Sequence, residues 1–187
     1  MILLKPFYFM RHAETDWNRE GLLMGSQNIP INQDGLMQIY RLLDRLGEVP
    51  FDYIISSPLQ RARETAEIIA KETGKKLKVL YDLRGCSWGD REGRENDDSN
   101  WYARWRSGEL VIDGAETYQH LFNRVTLALK EALEFRGIPL IIGHGGGYSV
   151  IQRYLGVKAN HVRNCKLFYH IPPRQGESYW KVREVQF

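Results

Sequence analysis

The chain has 187 residues, 43% hydrophobic and 26% charged, and 26 Lys and Arg against 23 Asp and Glu leave a formal charge of +3. That length supports one well-buried domain over 1–187 and is short for two. Basic and acidic residues are interleaved without a basic face or tail, which argues against nucleic acid as a partner and leaves a modest preference for anionic ligands, and no apolar run reaches the length of a membrane span.

In chain order, residues 6–10 read as a strand that ends in Arg11-His12. Residues 33–46 read as a helix, with Leu36, Ile39, Tyr40, Leu43 and Leu46 at helical spacing and Asn32 placed to cap it. Residues 52–56 form the next strand, and after Pro58 a helix runs to about Thr73, closed by Gly74. Residues 77–83 read as a third strand. From Arg84 to Asp113 the chain is rich in Gly, Arg, Asp and Trp, with one short helix around Trp101 to Trp105, and this irregular insertion at about 84–113 is the expected substrate cap.

Helical spacing returns over 115–135 through Tyr118, Leu121, Phe122, Val125, Leu129, Ala132 and Leu133. Residues 138–143 read as a buried strand that runs into His144-Gly145-Gly146-Gly147 and a helix through Val150, Ile151, Tyr154 and Leu155. Strand-like runs near 166–171 and 179–185 finish the chain. Strands alternating with helices predict an α/β fold, a three-layer α/β/α sandwich with a mostly parallel central sheet, whose ligand sites lie beyond the carboxyl ends of the strands.

Cys86 and Cys165 lie far apart with no metal-finger spacing, so both are expected reduced, as in a cytoplasmic protein. Lys5-Pro6 interrupts the apolar N-terminus MILLKPFYFM, and no small-residue cleavage site follows, so a signal peptide is not expected.

The strand ends carry the chemistry. Arg11 and His12 follow the first strand, Ser57 and Arg61 the second, Asp82 and Arg84 the third, and His144 with three glycines the fourth. Two histidines and two or three arginines thus converge on one edge of the sheet. Fixed cations and glycine amides around an imidazole suit a dianionic phosphoryl group, whose transfer depends on positioning and charge neutralisation. Neutral imidazole is available near pH 7 as a nucleophile.

The ordered motifs RHAET, Asn18, SSPLQRARETA and IIGHGGG resemble those of the histidine phosphatase superfamily, the phosphoglycerate mutase-like family. Supporting matches occur at Asp82-Leu83-Arg84, Gly89, Glu92-Gly93 and Gly114-Ala115-Glu116-Thr117. The resemblance implies a phosphatase that hydrolyses a phosphomonoester or related phosphoryl compound through a phosphohistidine on His12. It gives Arg11, Arg61 and His144 the phosphoryl oxygens, with Asn18, the Gly145 amide and Arg84 as further substrate contacts. Neither step requires a metal, no cofactor is expected, and the partner is a small phosphorylated substrate or a phosphohistidine protein.

Two departures from the family stand out. Ala13 replaces the usual glycine after the motif histidine, a small change. Leu83-Arg84-Gly85 stands where many members carry Leu-Arg-Glu, whose Glu protonates the leaving oxygen. General acid help is worth roughly 10²–10⁴-fold in rate, so its loss weighs most on alkyl phosphates.

Three accounts fit this departure. Asp82, Asp90 or Glu92 supplies the proton instead; the substrate has a good leaving group, as in small phosphohistidine phosphatases; or catalysis has weakened and phospholigand binding remains. A phosphoglycerate mutase is a further alternative, disfavoured because its larger relatives exclude water with a C-terminal tail and this chain ends at Phe187, just after its last strand.

Other candidates have plainer readings. Glu14, Arg63 and Glu64 read as solvated surface, and His120, His161 and His170 as surface or packing residues. Trp88, Trp101, Tyr102 and Trp105 could pack the core or line a substrate pocket, and Arg91, Arg94, Arg104 and Arg106 could meet a second anion or only solubilise the insertion.

Overall fold

A computed structural model describes residues 2–95, 100–158 and 162–186. Its sheet has six strands: β1 (Phe7–Arg11), β2 (Tyr53–Ser56), β3 (Lys76–Val79), β4 (Pro139–Gly143), β5 (Leu167–Ile171) and β6 (Lys181–Glu184), in the order β3-β2-β4-β1-β5-β6. β1 pairs parallel with β4, as do β2 with β4 and β2 with β3; β5 lies antiparallel to β1, and β6 antiparallel to β5. The mostly parallel sheet expected from the sequence is therefore present, with an antiparallel edge.

The helices are α1 (Asp16–Arg19), α2 (Gln33–Leu46), α3 (Gln60–Thr73), α4 (Trp101–Ser107), α5 (Tyr118–Glu134) and α6 (Gly145–Tyr154). Strand side chains alternate between the two faces. Phe7, Phe9, Ile55 and Ile141 pack with Leu121, Val125 and Leu129 of α5 and with Tyr148 and Ile151 of α6. Tyr8, Met10, Ile54, Leu140 and Ile142 pack on the other face with Ile39 and Leu46 of α2 and Ala62, Ala66 and Ile69 of α3. Because both faces are covered, β1 and β4 are near-continuous apolar runs, and only their ends are free to carry charge.

Helix ends follow the capping residues. The Asn32 side chain accepts from the Gly35 amide, and Gly74 closes α3 in the left-handed region at φ 68°. Thr117 caps α5 by accepting from the His120 amide, so 115–117 lie outside the helix expected from 115 onward. The third strand is shorter than its expected range of 77–83: after Leu80 bonds to Ser56, a 3-10 turn at Tyr81–Leu83 takes over and buries Leu83. The sequence reading had neither α1, a single turn held by reciprocal bonds between Thr15 and Asn18, nor the 3-10 turn at Gly89–Arg91. Among the described residues no helix is long and apolar enough to cross a membrane.

Candidate active site

The central strand β1 delivers Arg11 at its last position and His12 one residue beyond, where the His12 amide donates to the Gly143 carbonyl at 3.0 Å. Two contacts fix the imidazole. Its Nδ1 lies 2.7 Å from the Ala13 carbonyl, which can only accept, so Nδ1 carries the proton. Nε2 therefore holds the lone pair, and it accepts from Arg61 Nε at 3.2 Å.

Arg61 sits in the first turn of α3 and is 2% exposed. Its other nitrogens donate to the Gln27 carbonyl at 2.6 Å and the Gly25 carbonyl at 2.8 Å. Thr65 joins α3 to the segment that follows His12, accepting from the Ala13 amide and donating to the Arg61 carbonyl. A buried guanidinium costs several kcal/mol to desolvate, and here two carbonyls and an imidazole take its hydrogen bonds while the Glu92 charge acts from nearby. Burial and the neighbouring Arg11 push the Arg61 pKa down to about 9.

His144 caps the end of β4, its ring centroid 5.2 Å from that of His12. Its Nε2 lies 2.7 Å from Ser57 Oγ, which itself accepts from the Leu59 amide. If the Ser57 hydroxyl donates to His144 Nε2, Nδ1 carries the proton and is a donor. Among the described residues, His144 Nδ1 and Arg11 Nε are buried without a hydrogen-bond partner. Two orphaned donors beside a buried guanidinium suit a multiply charged oxyanion.

Burial, then Arg61 and Arg11, hold the His12 pKa well below 6.5. Burial, Arg61, His12 and Arg11 do the same for His144. Both rings are therefore neutral at physiological pH.

A cavity of about 470 Å³ brings together Arg11, His12, Arg61, His144, Asn18 and Gly145. Gly145 and Gly146 open α6, whose first amides add the positive end of a helix dipole. Asn18 Oδ1 is occupied by the Thr15 amide and Asn164 Nδ2, so its own Nδ2 is the group it can offer an anion.

The structure places the other expected residues elsewhere. Arg84 pairs with Asp82 at 2.9 Å and stacks on Tyr81, and neither Arg84 nor Asp82 lines the cavity. Asp90 is exposed outside it. The Glu92 carboxylate accepts from the Ser26 amide and hydroxyl, the Gln27 amide group and the Trp88 amide. Partial burial opposes its ionisation, but these bonds win and hold its pKa below the ordinary value. Glu92 thus locks the loop that supplies the carbonyls of Gly25 and Gln27 to Arg61.

Gly85 lines the cavity, yet a Cβ there would meet the Gly25 carbonyl oxygen at 2.4 Å and Arg61 at 3.0 Å. The backbone closes over the place where a longer side chain would start.

His170 is a packing residue, stacked on Phe7 at 4.2 Å with its pKa pushed down to about 3 by burial. His120 is exposed and 3.2 Å from Glu116. His161 lies outside the described residues.

Trp88, Trp101 and Tyr102 line the cavity with Leu22, Leu23 and Val162, and exposed Arg106 lines it too, whereas Arg91, Arg94 and Arg104 do not. Trp105 is buried and donates to the Glu116 carbonyl.

The sequence reading missed Arg124. This side chain, 4% exposed, forms a two-pronged ion pair with Glu116 at 2.6 Å and donates to the carbonyls of Asp82, Arg84 and Gly85. The available signal was an arginine on the apolar stripe of α5, between Leu121 and Ala128.

A model of the histidine phosphatase superfamily (branch 1) matches residues 7–171. The "Probable phosphoglycerate mutase" of Salmonella typhi is 31% identical over 175 residues, covering 86% of this chain and 81% of that protein. Its Escherichia coli counterpart, under the same name, is 32% identical over 179 residues with the same coverage. The crystal structure of phosphoglycerate mutase from Thermus thermophilus is similar at a TM-score of 0.77, with 26% identity, covering 98% of this chain and 100% of that one.

Proposed function

Since the chain belongs to the histidine phosphatase superfamily, we propose that it is a phosphatase that hydrolyses a small phosphorylated substrate in two steps at His12. The observation that carries this reading is the way the His12 ring is held, Nδ1 at the Ala13 carbonyl and Nε2 at Arg61. Its Nδ1 proton is held by Ala13 and its Nε2 lone pair faces Arg61, beside the unpartnered donors of Arg11 and His144.

In the first step the phosphoryl oxygens take the guanidinium donors of Arg11 and Arg61, Nδ1–H of His144 and the Gly145 amide. Arg61 Nε–H turns from Nε2 to a phosphoryl oxygen, the freed Nε2 lone pair attacks phosphorus, and the bond from phosphorus to the leaving oxygen breaks, with its electron pair staying on that oxygen. In the second step water attacks the phosphohistidine, the phosphorus–nitrogen bond returns its electron pair to Nε2, and phosphate leaves with one proton released. The same cations stabilise both transition states, because charge spreads over the equatorial oxygens in each. Neither step needs a metal or cofactor, and the two buried thiols fit action in the cytoplasm.

The test is phosphate release from an aryl phosphate in the presence of a chelator, with trapping of the phosphoenzyme. An acid-labile phosphoryl group on the native protein, absent from His12→Ala, together with a fall in kcat of roughly 10⁴-fold or more, supports the reading. Phosphate release that survives His12→Ala, or stops on chelation, overturns it. The names of the curated relatives favour a second reading, a phosphoglycerate mutase. Incubation with a phosphoglycerate decides between the two, since a mutase returns the isomeric ester and a phosphatase returns inorganic phosphate.

A further inference from the structure

Resting on that phosphatase reading, we infer that the leaving group is an aryl oxide, so that the substrate is a monoester between phosphate and a phenol-type hydroxyl. Two independent features point to it.

The first is the wall of the cavity. Trp88 and Trp101 meet edge to face at 5.0 Å, and Tyr102 lies edge to face with both, at 6.0 and 5.7 Å. Trp88 also approaches the phosphoryl end, its ring 3.6 Å from where a Cβ of Gly146 would lie. The hydroxyl of Tyr102 is taken up at 2.6 Å by Ser149, which donates to the Gly146 carbonyl at 2.7 Å. What Tyr102 offers a ligand is thus its ring rather than its polar tip. With Leu22, Leu23 and Val162, these side chains make a mainly apolar lining beside the phosphoryl site. Such a wall suits a flat aromatic group, with Arg106 and Gln152 among the polar groups of the remaining lining.

The second feature is proton supply. Among the described residues no carboxyl lines the cavity. Glu92 is held ionised by its donors, Asp82 is paired with Arg84, and the Gly25 carbonyl occupies the space a side chain at position 85 would need. Tyr102 and Cys86 do line the cavity, but burial pushes both pKa values up and makes them poor acids. A phenol releases its proton near pKa about 10, so its oxide can depart unassisted. An alkoxide, whose parent alcohol is about as weak an acid as water at roughly 15.7, departs far more slowly without a proton.

The experiment uses the native protein and three comparisons. Phenyl phosphate and benzyl phosphate both carry a ring and differ in the basicity of the leaving oxygen. The inference expects kcat/KM for phenyl phosphate to exceed that for benzyl phosphate by about 10²-fold or more, the span a general acid would otherwise level. Benzylphosphonate and methylphosphonate, which cannot be hydrolysed, isolate the ring, and the benzyl compound should inhibit about tenfold more tightly from the apolar area it buries. Free phosphotyrosine and a phosphotyrosyl peptide separate the two sources of an aryl phosphate, and preference for either over benzyl phosphate supports the inference.

Equal rates for the two esters, or equal inhibition by the two phosphonates, would overturn it and leave the phosphatase standing. If neither ester is hydrolysed above the His12→Ala blank and no phosphoenzyme forms, the phosphatase reading itself fails.

Discussion

The imidazole of His12, the nucleophile of the proposed reaction, is set by burial and neighbouring cations and not by an acidic partner. Burial and two guanidinium groups hold both His12 and His144 well below 6.5, so their ring NMR signals should titrate only in more acidic solution. A nucleophile with a lowered pKa is active above that pKa and loses activity as pH falls through it. Burial and the neighbouring Arg11 press the Arg61 pKa downward too, but a guanidinium keeps its charge across the working pH range. The His12 contribution to kcat/KM should therefore be lost only when pH falls well below 6.5; a His12 ring that titrates at or above 6.5 contradicts this. Gly85 permits a second test. Because a new Cβ meets a backbone carbonyl at 2.4 Å, Gly85→Ala should cost about 1–3 kcal/mol of stability by denaturant titration. It should also lower kcat, since the displaced Gly25 carbonyl is the one that holds Arg61.

At the scale of elements, α5 organises the site from a distance. Arg124 ties three loop carbonyls and Glu116 together, and Glu116 stays ionised because its bonds and charge contact with Arg124 outweigh the penalty of burial. Removing one partner of a buried ion pair costs about 3–5 kcal/mol. Arg124→Ala should accordingly lower the unfolding free energy by that order, and a change below about 1 kcal/mol would show that the pair is only decorative. Much of this level was legible from sequence. The helix at 33–46 could be read from its cap Asn32, and the end of the next near Thr73 from Gly74, whereas its start at Gln60, which has no side-chain cap, could be read only as following Pro58. The third strand could not be bounded this way, since Leu80 and Leu83 look like strand residues until the chain turns to bury them.

For the whole molecule, strands alternating with helices foretold the layers, and the residues after the strands foretold which side of the sheet gathers His12, Arg61 and His144. What stayed illegible depends on contacts between segments far apart in the chain. Asp82, Asp90 and Glu92 are near Gly85 in sequence, but only the fold reveals that Glu92 serves the 25–27 loop and that Asp82 faces Arg84. The same holds for the tryptophans. Of five in the chain, Trp88, Trp101 and Trp105 are grouped in edge-to-face contact, and two of them line the cavity. The molecule therefore carries its own lamp at its own doorway. An occupant of the cavity must alter the light those indoles emit, so binding can be followed by intrinsic fluorescence in a protein that bears no added label.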